Sequence, residues 1–106
     1  MIKRKLERYL QILSNIDSGE DKLIWIMDFG KNSHGLHDQY KLKCFEVNGC
    51  QSQTWLVPHF LDDSIVFTAD SAALISKGMV CLIADVYSGA RAQDIREFDQ
   101  KEFEKM

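Results

Sequence analysis

The sequence predicts an α+β domain in which a three-stranded antiparallel sheet packs against helices. Three observations predict it. Apolar residues recur at helical spacing near the N-terminus. Two alternating segments, residues 54–61 and 64–69, flank a short acidic turn. A long and almost wholly apolar stretch then follows.

Leu6, Tyr9, Leu10, Leu13 and Ile16 share one helical face, with Lys3, Arg4, Lys5, Glu7, Arg8 and Gln11 around the rest of the wheel. This spacing predicts an amphipathic helix over residues 3–15. Ser18, followed three positions later by Asp21, has the pattern of a helix N-cap. It predicts a second helix over residues 20–29, with Leu23, Ile24 and Met27 inward and Gly30 as a left-handed stop. Residues 31–43 lose periodicity and read as a surface loop. Residues 44–47 form a short predicted strand, and Asn48-Gly49 is a turn signal that places Cys50 at a bend.

Along residues 54–61, Trp55 and Val57 face one way and Leu56 and Phe60 the other. Pro58 has no N–H for a ladder, so this strand is expected at an edge or a bulge. Asp62-Asp63 turns the chain into residues 64–69, which should pair antiparallel with it. Asp70 or Ser71 is the expected cap of a helix running to Tyr87. That helix is apolar nearly all round and therefore belongs in a core. Short helices are predicted over residues 92–96 and 101–105.

The chain has 106 residues, the length of one domain, and enough to bury a core without metal or disulfides. A net charge of −3 gives no electrostatic case for nucleic-acid binding. The basic opening at residues 1–5 is interrupted by charge before any signal-like apolar run, and no apolar stretch is long enough to span a bilayer. The sequence thus reads as that of a soluble, cytoplasmic chain without membrane or nucleic-acid partners. The basic cluster of residues 3–8 reads as a solvated helix face or a docking surface. Three cysteines, an odd number, argue against a disulfide framework and for free thiols.

The segment Val47-Asn48-Gly49-Cys50-Gln51-Ser52-Gln53-Thr54-Trp55-Leu56 departs from ordinary loop sequence. Gly49 lets the backbone turn sharply before the thiol. Gln51, Ser52 and Gln53 offer amide and hydroxyl donors that can hold a thiolate or a terminal sulfur. The nearest cations in sequence are Lys43 and His59, so nothing local strongly depresses the thiol pKa. Cys81, on the apolar helix, reads as core packing and Cys44 as structural. His34 and His37 read as solvated loop histidines, and the spacing of Cys44 and Cys50 is wrong for a zinc site. No metal site is expected.

Gly49-Cys50-Gln51-Ser52-Gln53 followed by Thr54-Trp55-Leu56 resembles the signature of the SufE family of sulfur acceptors. The resemblance continues through Ala69-Asp70-Ser71-Ala72-Ala73, Ile75, Lys77-Gly78, Tyr87, Asp94-Ile95 and Phe98-Asp99. It implies a SufE/IscU-like fold and a single SufE-like domain over residues 1–106, apparently lacking the further helical segment with which family members usually continue. Residues 35–40 also lack the proline-rich run and arginine common there.

The resemblance further implies that Cys50 takes persulfide sulfur from a cysteine desulfurase and passes it to an iron–sulfur scaffold complex, with Gly49, Gln51, Ser52 and Gln53 as its loop. Such a chain is an accessory carrier that stimulates the desulfurase rather than an enzyme. It holds no cofactor of its own, the pyridoxal phosphate belonging to the desulfurase. Two alternatives stand beside this reading: an IscU-type scaffold, which needs several converging ligands, and a desulfurase-binding domain without sulfur transfer. Monomer and homodimer are both left open.

Overall fold

A computed structural model describes residues 1–49 and 51–105 of the chain. Its elements, in order, are helix α1 (Ile2–Ser14), helix α2 (Gly19–Lys31), strands β1 (Thr54–Leu61) and β2 (Ser64–Ser71), and helices α3 (Leu74–Tyr87) and α4 (Ala92–Glu97). Short 3-10 helices occupy Asp38–Tyr40, Lys43–Phe45 and Gln100–Lys105. No helix among the described residues is long and apolar enough to cross a membrane.

Helix α1 buries Ile2, Leu6 and Leu13 along the face its periodicity predicts. Burial of each such aliphatic side chain contributes roughly 1.5–3 kcal/mol. Lys5, from the polar side, donates to the carbonyls of Asp85 (3.1 Å) and Ser88 (2.8 Å). A cation there offsets the partial negative charge at the C-terminal end of α3.

Helix α2 begins as expected, with the Ser18 hydroxyl accepting the Asp21 N–H. Its inward face is not the expected one. Leu23 and Ile24 are exposed, whereas Ile26 and Gly30 are buried and Trp25 and Phe29 pack partly against the core. Apolar residues lie on several sides of this helix, so periodicity alone does not select its buried face. Gly30 selects it. Rather than a left-handed stop, Gly30 is a helical residue pressed against α3, where a Cβ would lie 2.7 Å from the Gly78 nitrogen. A Cβ on Gly78 would lie 2.1 Å from the Ile26 carbonyl oxygen. The two glycines bring the α2 and α3 backbones into contact.

Strands β1 and β2 pair antiparallel from Thr54↔Ser71 to Leu61↔Ser64, joined by a turn in which Asp62 takes a positive φ of 50°. Short polar side chains tolerate that region better than most. The sheet among the described residues has two strands, not the three the sequence suggests. Residues 43–45 coil into a 3-10 turn, so this segment pairs with β1 only through the single bridge of Glu46 to Trp55. On the other side, Ala90 makes a single bridge to Ile65.

Both edges are closed by particular groups. The Ser88 hydroxyl accepts the Phe67 N–H (2.9 Å) and lies 3.3 Å from the Phe67 carbonyl, where a neighbouring strand would bond. Since Phe67 turns its backbone away from β1, its partner Pro58 lies in a non-hydrogen-bonded pair. The missing Pro58 N–H therefore falls on the outer edge of β1, where it costs no ladder bond.

Helix α3 covers the sheet face that carries Leu56, Phe67 and Ala69, burying Val80, Cys81 and Ala84 against it. Its apolar character is as predicted, but its start is not. The helix begins at Leu74 after Ala73, β2 extends to Ser71, and neither Asp70 nor Ser71 is its N-cap residue. Beyond α4, Phe98 and Phe103 pack against the Tyr87 ring, with centroids 6.0 and 5.5 Å away.

Candidate functional site

The predicted acceptor loop, residues 49–53, lies just before β1 and is pinched at its base. The Val47 N–H donates to the Thr54 carbonyl (2.8 Å), and Gln53 Nε2 donates to Glu46 Oε1 (3.2 Å). Opposite, the Gln53 carbonyl accepts the Ala72 N–H (2.9 Å) and the Ser71 hydroxyl (3.1 Å). Thr54, buried at the last rung of the hairpin, donates to the Ser52 carbonyl (3.0 Å) and lies 3.0 Å from Ser71 Oγ. Two strand ends and the connection into α3 thus grip the loop's returning limb.

Cys50 lies outside the described residues. Its sequence neighbours are described: Gly49 and Gln51 are exposed, as is Gln53, and Ser52 is half-buried. Gly49 has a φ of +86° with open space where a Cβ would stand, so glycine serves the left-handed turn rather than a tight contact. Gly49, Gln51, Ser52 and Gln53 together line a recess of about 240 Å³ between the loop and its base.

The other sequence candidates lie elsewhere. Cys81 is buried, its thiol donating to Ser33 Oγ (3.3 Å), and burial pushes its pKa up against the opposing pull of Ser33 and Lys77. Cys44 is exposed on a 3-10 turn rather than held in a strand. His34 and His37 are exposed, and no group of three or more potential metal-ligating side chains occurs among the described residues. His59 Nε2 meets Thr68 Oγ1 at 2.9 Å, with its ring against Tyr40.

Sequence reasoning weighs a contact of Asp70 and Ser71 with the loop and prefers helix capping; the structure instead makes Asp70 a buried carboxylate beside the loop. Asp70, only 8% exposed, accepts the Leu36 N–H on Oδ2 (3.1 Å) and the Ser71 N–H on Oδ1 (2.8 Å). Lys41 Nζ lies 3.6 Å from Oδ2, and Lys77 Nζ 3.7 Å from Oδ1. Burial alone raises a carboxylate pKa, but here the two N–H donors and two cations outweigh it and leave Asp70 lowered. Lys41 also stands over the Trp55 ring, 5.4 Å from its centroid. Residues 35–41 are thereby strapped across the sheet face that carries Trp55, His59 and Asp70. The one local signal was the polar Asp70-Ser71 pair, which reads equally well as a helix cap.

A family model described as the SufE, Fe-S metabolism associated domain, matches residues 7–106. An uncharacterized SufE-like protein of Rhizobium meliloti (strain 1021) is 30% identical over 98 residues, spanning 89% of this chain and 70% of that protein. The domain match covers nearly the whole chain, including the glycine–cysteine loop and the Asp70-Ser71 anchor at its base, and the chain belongs to the SufE family, associated with Fe-S metabolism.

Proposed function

We propose that Cys50 is a sulfur acceptor that takes sulfane sulfur from the persulfide of a cysteine desulfurase and hands it to iron–sulfur cluster assembly. One observation chiefly supports this reading. In a SufE-family chain, the Gly49–Gln53 limbs of a cysteine-bearing loop stand out from a hydrogen-bonded base, where a partner can reach them.

The chemistry is an exchange without net oxidation. The Cys50 thiol loses its proton, and its thiolate attacks the terminal sulfur of the donor persulfide. A new S–S bond forms on Cys50 as the donor S–S bond breaks, and the desulfurase cysteine leaves as thiolate. The exposed amides of Gln51 and Gln53 and the Ser52 hydroxyl are donors suited to the charge of the transferred sulfur. Residues 1–106 act as one SufE-like domain, a cytoplasmic accessory protein rather than a self-contained enzyme. Pyridoxal phosphate belongs to the desulfurase, and the carrier itself needs no cofactor or metal.

The test is intact mass spectrometry without reductant after incubation with a cysteine desulfurase and cysteine. A gain of about 32 Da per chain is expected, absent in Cys50→Ser and retained in Cys81→Ser. Absence of the gain with several desulfurases overturns the carrier reading. Desulfurase binding that survives Cys50→Ser without any sulfur uptake by the wild type favours a binding domain that does not transfer sulfur.

A further inference from the structure

We propose that Asp70 is a positioning residue for the acceptor loop, coupling the strap of residues 35–41 to the anchor that holds Gln53. The inference rests on the sulfur-acceptor reading for its function, but the coupling itself is a property of the fold.

The geometry has two halves that meet at one carboxylate. Oδ2 holds the strap, through the Leu36 N–H and Lys41. Oδ1 accepts the N–H of Ser71, whose hydroxyl donates to the Gln53 carbonyl. The following residue, Ala72, donates to the same carbonyl. Lys41 closes a second path, from Asp70 to the ring of Trp55, next to Thr54, whose hydroxyl holds Ser52. Loss of the Asp70 carboxylate therefore loosens Lys41 over Trp55 and releases the Ser71 N–H at once, and both bear on the limb that returns from Cys50.

Charge as well as shape is needed here. Both carboxylate oxygens accept a backbone N–H, whereas an asparagine has one acceptor oxygen and an NH2 group. In either orientation, Asp70→Asn sets a donor against a donor and removes the attraction to Lys41 and Lys77. Losing one part-buried acceptor raises the population of strap-open molecules roughly tenfold.

The experiment compares wild type, Asp70→Asn and Val80→Ala, a core truncation away from the strap, at a temperature where all three are folded. Hydrogen exchange over residues 35–42 reads the strap. The alkylation rate of Cys50 reads the loop without any partner. Sulfur uptake at varied carrier concentration separates KM from kcat.

The expected result is faster exchange in the strap and a several-fold change in Cys50 alkylation in Asp70→Asn. Sulfur uptake should show an altered kcat at little-changed KM, and Val80→Ala should move none of these. An opened strap with unchanged Cys50 alkylation overturns the proposal, leaving Asp70 a structural pin. Equal effects from Val80→Ala overturn it too. If Asp70→Asn does not fold, Lys41→Met carries the same comparison, since it removes one cation from Asp70 and the ammonium over Trp55. A wild type that takes up no sulfur overturns the carrier reading alone, and the alkylation comparison still decides the role of Asp70.

Discussion

Among single residues, the thiols differ most in what their surroundings allow. Cys81 is enclosed by α3 and β2, and burial pushes its thiol pKa up, away from the reactive thiolate. We expect it to resist iodoacetamide in the folded chain at pH 8, while exposed Cys44 reacts, and to react once the chain is unfolded in urea. Peptide mapping of alkylated sites checks this, and modification of native Cys81 at the rate of Cys44 contradicts it. Cys50 was conspicuous in the sequence because its signal is local, glycine, thiol and polar neighbours being consecutive, while its placement lies outside the described residues. Asp70 was not, because its partners Leu36, Lys41 and Lys77 come from separate parts of the chain, and nothing in the sequence announces their meeting.

Between elements, the α2–α3 seam shows what periodicity can and cannot read. The start of α2 follows from its Ser18 cap and the course of α3 from its apolar run, but the rotation of α2 does not follow from a helix apolar on several sides. Backbone contact at Gly30 and Gly78 settles it. Gly78→Ala puts a methyl group 2.1 Å from the Ile26 carbonyl oxygen, a backbone atom that cannot swing aside. The helices must part, at a cost of about 3 kcal/mol or more. Gly19→Ala, at the first helical position of α2 and with nothing within 4 Å of the new carbon, should instead stabilise by about 0.4–1 kcal/mol. Urea unfolding of the two variants is the check; equal midpoints contradict the seam. The third expected strand failed for a related reason, since a run of four residues can coil or extend, and the 3-10 turn at Lys43–Phe45 leaves Glu46 alone to bridge.

Across the whole molecule, the α+β class was legible from the order of periods along the chain, while the closing of the sheet's open face by a polar strap was not. That strap ties overall stability to acid. The folded Asp70 pKa lies below its unfolded value, because the Leu36 and Ser71 N–H groups, Lys77 and Lys41 outweigh its burial. Its stabilising contribution is therefore fully present above the unfolded value of about 4 and is lost as pH falls through the lower folded value. Thermal unfolding between pH 7 and pH 2.5 should show an acid-side fall in Tm that is shallower in Asp70→Asn. Parallel curves for the two proteins contradict it.

The treatment of the sheet's two borders has a consequence for how the chain keeps company with copies of itself. A ribbon of two strands offers backbone on both sides, and bare backbone recruits more backbone until a fibre grows. Here the Ser88 hydroxyl occupies one border and the missing donor of Pro58 blunts the other. With both guards removed, as in Ser88→Ala with Pro58→Val, dilute samples should still unfold cooperatively. Concentrated ones should scatter light and bind thioflavin T, so that solubility, rather than folding, is what these two side chains protect.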